Sequence, residues 1–133
     1  TWDVELTRID GSFKAGRDLD KAGIIFLASP QTGAACLEEF ALANAEDVTE
    51  ILDAHYRYGN DKTLDELVPR ALADLFCSGN CVVTKNYSLI EPGILARKYY
   101  APGIGVFLDV KPDTGEVLQL TGCNVDPRCE HLP

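Results

Sequence analysis

The sequence has no methionine, few basic residues and no long hydrophobic run. Because translation starts at methionine, we expect Thr1 to result from processing or truncation. The 12 lysines and arginines are outnumbered by 21 acidic residues, and the resulting net charge of -9 argues against binding to nucleic acid or to anionic membranes. The longest apolar run, residues 24–28, is far too short to cross a bilayer, so we expect no membrane insertion.

Five cysteines are a high number for a chain of this size. Cytosolic proteins seldom carry so many cysteines without a metal or redox role, so the count favours an oxidising compartment. We therefore predict an exported protein, located in the periplasm, at the cell surface or outside the cell. A length of 133 residues fits one domain with a sizeable core.

Three turn sequences divide the C-terminal half into four extended segments. Proline fixes φ and glycine supplies a positive φ in each of them: Glu91-Pro92-Gly93, Ala101-Pro102-Gly103 and Pro112-Asp113-Thr114-Gly115. Segments 81–90, 94–100, 105–111 and 116–122 contain many β-branched and aromatic residues. We predict a mainly β fold, either an antiparallel meander sheet with these segments as sequential neighbours or a partly closed barrel. If the turn at 101–105 sets the register, Arg97 lies opposite Asp109.

Residues 98–107, KYYAPGIGVF, resemble the KYYAPGVGLV motif near the C-terminus of a family of uncharacterised, mostly exported bacterial proteins. The likeness extends upstream through residues 84–85, 89–93, 45–47, 29–33 and 11–16. It implies an exported β-rich fold and brings no activity, cofactor or catalytic residue with it. Family members usually begin with one further strand, so the resemblance implies an uncovered sheet edge. The helix from Thr63, the tail after Gly122 or a strand from another copy of the chain could cover that edge. The apolar residues Trp2, Val4 and Leu6 favour the last of these, self-association through the N-terminal region.

Residues 34–55 give two conflicting indications. Alanine, leucine and glutamate dominate the segment, and residues such as Leu37, Phe40 and Val48 keep roughly helical spacing, which predicts a helix. The corresponding segments of the family resemble two strands on either side of residues 45–47. We favour two strands, because tertiary context overrides local propensity, and keep the helix as the alternative.

Residues 63–76 predict one inserted amphipathic helix. Thr63 and Glu66 have the spacing of a capping box, and apolar residues recur with helical periodicity from Leu64 to Leu75. Pro69 lies within this pattern, so the helix either bends there or begins at Pro69 after an irregular turn. The β-rich domain would then span residues 1–122, and residues 123–133 would form a cysteine-bearing C-terminal tail.

Four of the five cysteines fall at one end of the predicted sheet: Cys77, Cys81, Cys123 and Cys129. Three strand spacings separate Cys81 from Cys123 by about 14 Å in a flat sheet, beyond the ~7 Å between Cα atoms that a disulfide allows. We therefore favour the local pairs Cys77–Cys81 and Cys123–Cys129. Crossed pairing and a zinc site that uses His131 are the alternatives. Cys36 is left over, and we expect it to be a buried small apolar residue.

His55 is the histidine inside the predicted domain, and Glu50 and Asp53 precede it in the sequence. A histidine oriented by a carboxylate is the minimum for general base catalysis, but no nucleophile motif such as GxSxG is present. Catalysis is therefore the weaker hypothesis, and we assign no metal and no cofactor. Four aromatic residues are candidates to line a ligand cavity: Tyr87, Tyr99, Tyr100 and Phe107.

Three functions are compatible with these patterns. We favour a non-catalytic exported β-domain that binds a small apolar ligand or a protein partner. The first alternative is a structural or assembly subunit that forms a homo-oligomer through an exposed sheet edge. The second alternative is a small hydrolase or lyase that uses His55.

Overall fold

The computed structural model of the chain describes residues 6–9, 12–15, 20–21, 26–38, 40–41, 46–93 and 95–133, with side chains from residue 26 onward except for 39–45 and 94. Ten strands lie within these ranges: β1 (Leu6–Ile9), β2 (Ser12–Ala15), β3 (Asp20–Lys21), β4 (Ala35–Leu37), β5 (Phe40–Ala41), β6 (Asp47–Tyr56), β7 (Cys81–Ser88), β8 (Leu95–Ala101), β9 (Gly105–Lys111) and β10 (Glu116–Gln119). The helices are α1 (Lys62–Asp65), α2 (Arg70–Phe76) and a 3₁₀ helix at Pro127–His131.

A six-stranded antiparallel sheet, ordered β10-β9-β8-β7-β6-β4, is the centre of the fold. From β6 to β10 each strand pairs with the next one in the sequence, so the predicted meander over segments 81–90, 94–100, 105–111 and 116–122 is confirmed. The described strands form an open sheet with β10 and β4 at its edges, so the alternative of a partly closed barrel is wrong.

Two further strand pairs are separate from this sheet. Strands β1 and β2 form an antiparallel hairpin, and β3 pairs with β5. Trp2 and Val4, which we expected to drive N-terminal self-association, lie outside the described residues.

Residues 34–55 form strands where the structure describes them, so the helical alternative is wrong, but the segment holds three strands, β4, β5 and β6, and not the two that we predicted. Strand β6 lies between β4 and β7 and hydrogen-bonds to both. Val48 and Ile51, two of the residues with helical spacing, are buried in it. Pairing on both sides and packing on both faces outweigh the helix propensity of the local sequence.

The register between β8 and β9 differs from the one that we predicted. Lys98 lies opposite Asp109 and Arg97 opposite Val110, so the pairing of Arg97 with Asp109 is wrong. A bulge between Tyr99 and Tyr100 shifts the register by one residue, and the extra residue on β9 is Phe107. The register set by the turn at 101–105 therefore holds only as far as this bulge.

The inserted helical region consists of two short helices and not one. The carboxylate of Asp61 accepts hydrogen bonds from the main-chain N–H groups of Thr63 (2.9 Å) and Leu64 (3.4 Å), so Asp61 is the N-cap and the capping box at Thr63 is wrong. Helix α1 ends at Asp65, and α2 begins directly after Pro69, which supports the second reading of that proline. Within the described ranges, no helix is long and apolar enough to span a membrane.

The main core lies between the helices and one face of the sheet. Tyr99 is fully buried at its centre, and its hydroxyl donates a 2.6 Å hydrogen bond to the carbonyl of Leu64 in α1. The ring centroids of Tyr56 and Tyr99 are 5.7 Å apart, and the Tyr56 hydroxyl donates a hydrogen bond to the Asp65 carboxylate (2.8 Å). These two tyrosines therefore attach α1 to the sheet through both packing and hydrogen bonds.

The opposite face of the sheet has a smaller core and a buried polar row. Ile51, Ala54 and Val82 form the small core. The Asn86 amide donates to Thr49 (2.7 Å) and to Glu38 (2.9 Å), and its oxygen accepts from Thr84 (2.7 Å). The row is hydrogen-bonded throughout, as buried polar groups require.

Candidate functional site

An apolar groove of about 680 Å³ lies on the sheet face opposite the helices, beside the β8–β9 turn. Its walls come from β6 to β9 and from the segment that precedes β4. Twelve residues line it: Phe26, Pro30, Ala54, His55, Asn80, Val82, Tyr100, Ala101, Pro102, Gly103, Gly105 and Val106. The volume falls in the range of about 300 to 1,000 Å³ that is typical of small-molecule sites.

An aromatic pair forms one wall of the groove. The ring centroids of Phe26 and Tyr100 are 4.7 Å apart with the planes tilted by 49°. Tyr100 lies opposite Val82 across the β7–β8 pair, so the wall continues onto the next strand. Burial, together with the negative charge of Glu38, raises the pKa of Tyr100 to about 12, so the phenol stays neutral at physiological pH.

The glycines of the β8–β9 turn form the floor of the groove. Gly103 and Gly105 have φ values of 78° and 90°, in the left-handed region that glycine adopts without strain. A β-carbon added at Gly105 would meet no atom within 4 Å, so this position faces open space. The turn is closed by the Ile104 N–H, which donates to the carbonyl of Ala101 (3.1 Å).

Two polar side chains, His55 and Asn80, lie at the groove, and the twelve lining residues include no aspartate, glutamate, lysine or arginine. Asn80 is fixed by its carbonyl oxygen, which accepts from the N–H of Ser78 (3.1 Å) and lies 3.4 Å from the Ser78 hydroxyl. His55 is exposed, and its imidazole has one donor and one acceptor to offer in the neutral form. The groove therefore combines apolar walls with a small number of orienting groups.

The structure does not bring together His55, Glu50 and Asp53 as a catalytic set. Glu50 pairs with Lys85, which places it on the helix side of the sheet, whereas the groove lies on the other side. The Asp53 carboxylate accepts a 2.7 Å hydrogen bond from the main-chain N–H of His55, so it orders the bulged end of β6. Among the described residues, no carboxylate hydrogen-bonds to the His55 imidazole.

The four predicted ligand-binding aromatics do not share a cavity. Tyr100 lines the groove. Tyr99 and Phe107 are buried in the core on the helix side, with ring centroids 6.2 Å apart. Tyr87 is on the helix side as well, partly buried, with the Lys85 ammonium 5.1 Å from its ring centroid.

The sequence did not indicate several residues of the groove, although part of the signal was present. The glycines of the Ala101–Gly105 turn were recognised only as turn formers. Alternation along β8 requires neighbouring residues to point to opposite faces, so Tyr99 and Tyr100 had to be separated. Phe26 is exposed and lies outside any strand, so no strand pattern in the sequence pointed to it.

Two disulfides connect the cysteines locally, as we favoured from the sequence. Cys77 pairs with Cys81 and Cys123 with Cys129, so crossed pairing and the zinc site are both wrong. Cys36 is not in a disulfide and is partly buried, and burial, with a smaller effect of Glu38, raises the pKa of its thiol. Two disulfides indicate an oxidising environment such as that of exported proteins.

The C-terminal tail is attached to the back of the β8–β9 turn through Arg128. Its guanidinium donates to the carbonyl of Pro102 (2.7 Å) and makes a two-pronged pair with the Asp126 carboxylate (2.9 Å for each contact). It also lies 5.5 Å from the centroid of the Phe76 ring. Arg128 therefore connects the tail, α2 and the turn that forms the groove floor.

This arrangement predicts a specific acid dependence of stability. The side-chain hydrogen bonds from Arg128, and then its main-chain N–H, lower the pKa of Asp126 from 3.8 to about 2. Because the folded pKa is depressed, the stabilisation is complete above about pH 4 and is lost as the pH falls through about 2. We expect the difference in melting temperature between the native protein and Asp126→Asn to be constant above about pH 4 and to shrink towards pH 2.

The control for this measurement is Asp113→Asn, at an exposed carboxylate in the β9–β10 turn. Melting curves recorded at steps between about pH 2 and about pH 7 give both differences. A difference for Asp126→Asn that stays the same down to about pH 2 would contradict the role of this ion pair.

Comparison of the chain with protein-family models, with curated proteins and with solved structures gives no significant match.

Proposed function

We propose that the protein is an exported, non-catalytic β-domain that binds a small, largely apolar ligand in the groove of about 680 Å³. The observation that carries this proposal is the lining of the groove, in which apolar side chains and glycines surround the polar side chains of His55 and Asn80. A site of this composition favours an uncharged molecule with an aromatic or aliphatic body and one hydrogen-bonding group. The two disulfides support a location in the periplasm, at the cell surface or outside the cell.

The roles of the lining residues follow from their chemistry. The Phe26–Tyr100 wall offers a tilted aromatic surface for a flat apolar body. His55 is at the mouth and supplies one hydrogen bond that fixes the direction in which the ligand enters. The geometry does not favour a hydrolase or lyase, because among the described residues no carboxylate hydrogen-bonds to the His55 imidazole.

Binding can be tested with N-phenyl-1-naphthylamine, an uncharged apolar fluorophore, by titration at constant protein concentration. We expect saturable binding that is at least about tenfold weaker in the Val106→Asp variant, because the new carboxylate would have to lose water against the apolar probe. Val106 is 46% exposed in the free protein, so this change is compatible with folding.

The matched control is Val125→Asp, which adds the same charge at an exposed valine outside the groove. This variant should bind the probe as the native protein does. A second probe, the anionic 1-anilinonaphthalene-8-sulfonate, should bind more weakly than the neutral one to a groove without cationic residues. Equal losses in the two variants, or no saturable binding of the neutral probe, would reject the proposal.

A further inference from the structure

The side-chain amide of Asn80, at the groove, has a fixed orientation. Its oxygen accepts a hydrogen bond from the main-chain N–H of Ser78 (3.1 Å) and lies 3.4 Å from the Ser78 hydroxyl. A main-chain N–H can only donate, so the atom that faces it must be the oxygen, and the amide nitrogen points away from Ser78. Within the described part of the chain this nitrogen has no hydrogen-bond partner. Asn80 therefore offers N–H donors to a ligand, while its acceptor is occupied.

The loop that carries Asn80 is held in place at both ends. The Cys77–Cys81 disulfide closes it, and Gly79 within it has a φ of 91°, in the left-handed region. A β-carbon added at Gly79 would lie 4.0 Å from the main-chain oxygen of His55, so the loop lies against the end of β6. The Asn80 amide is thus positioned before any ligand arrives, and binding loses little conformational entropy in this loop.

An apolar row begins beside Asn80 and crosses three strands of the sheet. Val82 lies opposite Tyr100 in the β7–β8 pair, and Tyr100 lies opposite Val106 in the β8–β9 pair. All three side chains line the groove. Two strand spacings of about 4.8 Å make this row roughly 10 Å long. Asn80 precedes Val82 by two residues, so its donors lie at the β7 end of the row.

We infer that the ligand of this groove is a neutral carbonyl compound, whose carbonyl oxygen accepts a hydrogen bond from the Asn80 amide while its apolar body covers the row of Val82, Tyr100 and Val106. This inference rests on the proposed function and names the class of ligand. A carbonyl oxygen has two lone pairs, so it can accept from Asn80 and from an N–H of His55 at the same time. An aromatic ketone or amide with two fused rings matches the length of the row.

The fixed amide donors discriminate between apolar ligands of the same shape. In the free protein Asn80 is exposed, so its N–H groups bind water. A hydrocarbon in the groove would displace this water without replacing its hydrogen bonds, and would therefore bind more weakly than the matching carbonyl compound. A carboxylate or phosphate could accept from Asn80, but it would lose its hydration at a groove whose lining includes no lysine or arginine. Asn80 is thus a specificity-determining residue.

A matched pair of fluorescent probes tests the role of Asn80. The first, 6-propionyl-2-(dimethylamino)naphthalene, has a carbonyl group on a body of two fused rings, and the second, 2-(dimethylamino)-6-propylnaphthalene, has a methylene in its place. Titration of each probe gives a dissociation constant, and the ratio of the two constants measures the preference for the carbonyl. We expect this preference to be at least about tenfold smaller in Asn80→Ala than in the native protein. Comparing ratios removes the greater general hydrophobicity of the propyl probe.

Ser78→Ala is the matched control, because Ser78 is exposed on the same loop and the variant keeps the main-chain N–H that orients Asn80. Its preference should stay within about twofold of the native value. A second variant, Asn80→Asp, keeps the oxygen that faces Ser78 and replaces the donor with an acceptor, so it should lose the preference as well.

The outcomes separate this inference from the proposed function. A preference that is unchanged in Asn80→Ala and Asn80→Asp, or that falls equally in Ser78→Ala, would overturn the role of Asn80 and leave the apolar groove as a binding site. If the native protein bound neither probe, the proposed function would be rejected together with the inference. Far-ultraviolet circular dichroism and melting temperature verify that each variant is folded.

Discussion

Replacing Phe76 with alanine is expected to lower the free energy of unfolding by about 3 to 5 kcal/mol. Phe76 is 2% exposed and ends α2. One side of its ring packs against Phe107, with centroids 5.1 Å apart, and the Arg128 guanidinium lies 5.5 Å from its centroid. The substitution therefore leaves a cavity where α2, the sheet and the C-terminal tail meet, and the surrounding backbone, fixed by two disulfides, has little freedom to collapse into it.

Urea unfolding followed by circular dichroism measures this loss, and Phe26→Ala is the matched control. Phe26 is 39% exposed and touches the sheet mainly through Tyr100, so the same change there should cost about 1 kcal/mol. Similar losses at the two phenylalanines would show that Phe76 is not part of the main core as described.

Removing both disulfides is expected to lower the free energy of unfolding by about 4 kcal/mol in total. The bonded cysteines are four residues apart in one case and six in the other, so each disulfide closes a short loop. The chain-entropy model gives about 2 kcal/mol for each loop of this size. A small domain is stable by only about 5 to 15 kcal/mol, so the reduced protein would be close to unfolding at body temperature.

Paired substitutions test the two disulfides separately. Urea unfolding of Cys77→Ala with Cys81→Ala, and of Cys123→Ala with Cys129→Ala, should show comparable losses, and Cys36→Ser serves as the control for loss of a thiol outside the disulfides. If the protein with both pairs removed lost less than about 1 kcal/mol, the cysteines would not be significant for stability.

The sequence was sufficient for the meander because its turns are encoded locally. Each turn contains a proline and a glycine, and turns this short leave adjacent antiparallel pairing as the simplest arrangement. Residues 34–55 show the opposite case, because their local sequence favours a helix whereas the structure has strands there. The outcome there depends on β4 and β7, which a local window does not contain.

The errors have equally specific causes. The Arg97–Asp109 register failed because a bulge at Tyr99/Tyr100 shifts the pairing by one residue, and no local turn pattern encodes this bulge. The cap predicted at Thr63 was wrong because an equally good capping residue, Asp61, lies two residues earlier and competes with the Thr-x-x-Glu pattern. The groove was not foreseen, because its walls come from separate segments whose proximity only the fold determines.

The arrangement of strand connections also has a consequence for the order of folding. Strands β7 to β10 are joined by the short segments 89–94, 102–104 and 112–115, so their pairing involves contacts close in sequence and little loop-closure entropy. Pairing β6 with β7 instead requires the closure of segment 57–80, which carries both helices and Cys77, the disulfide partner of Cys81 in β7. We therefore expect the β7–β10 meander to nucleate folding, with β6 and the helices docking onto it afterwards. Oxidation of Cys77 and Cys81 should accelerate this docking, because the disulfide shortens the loop that must close between β6 and β7.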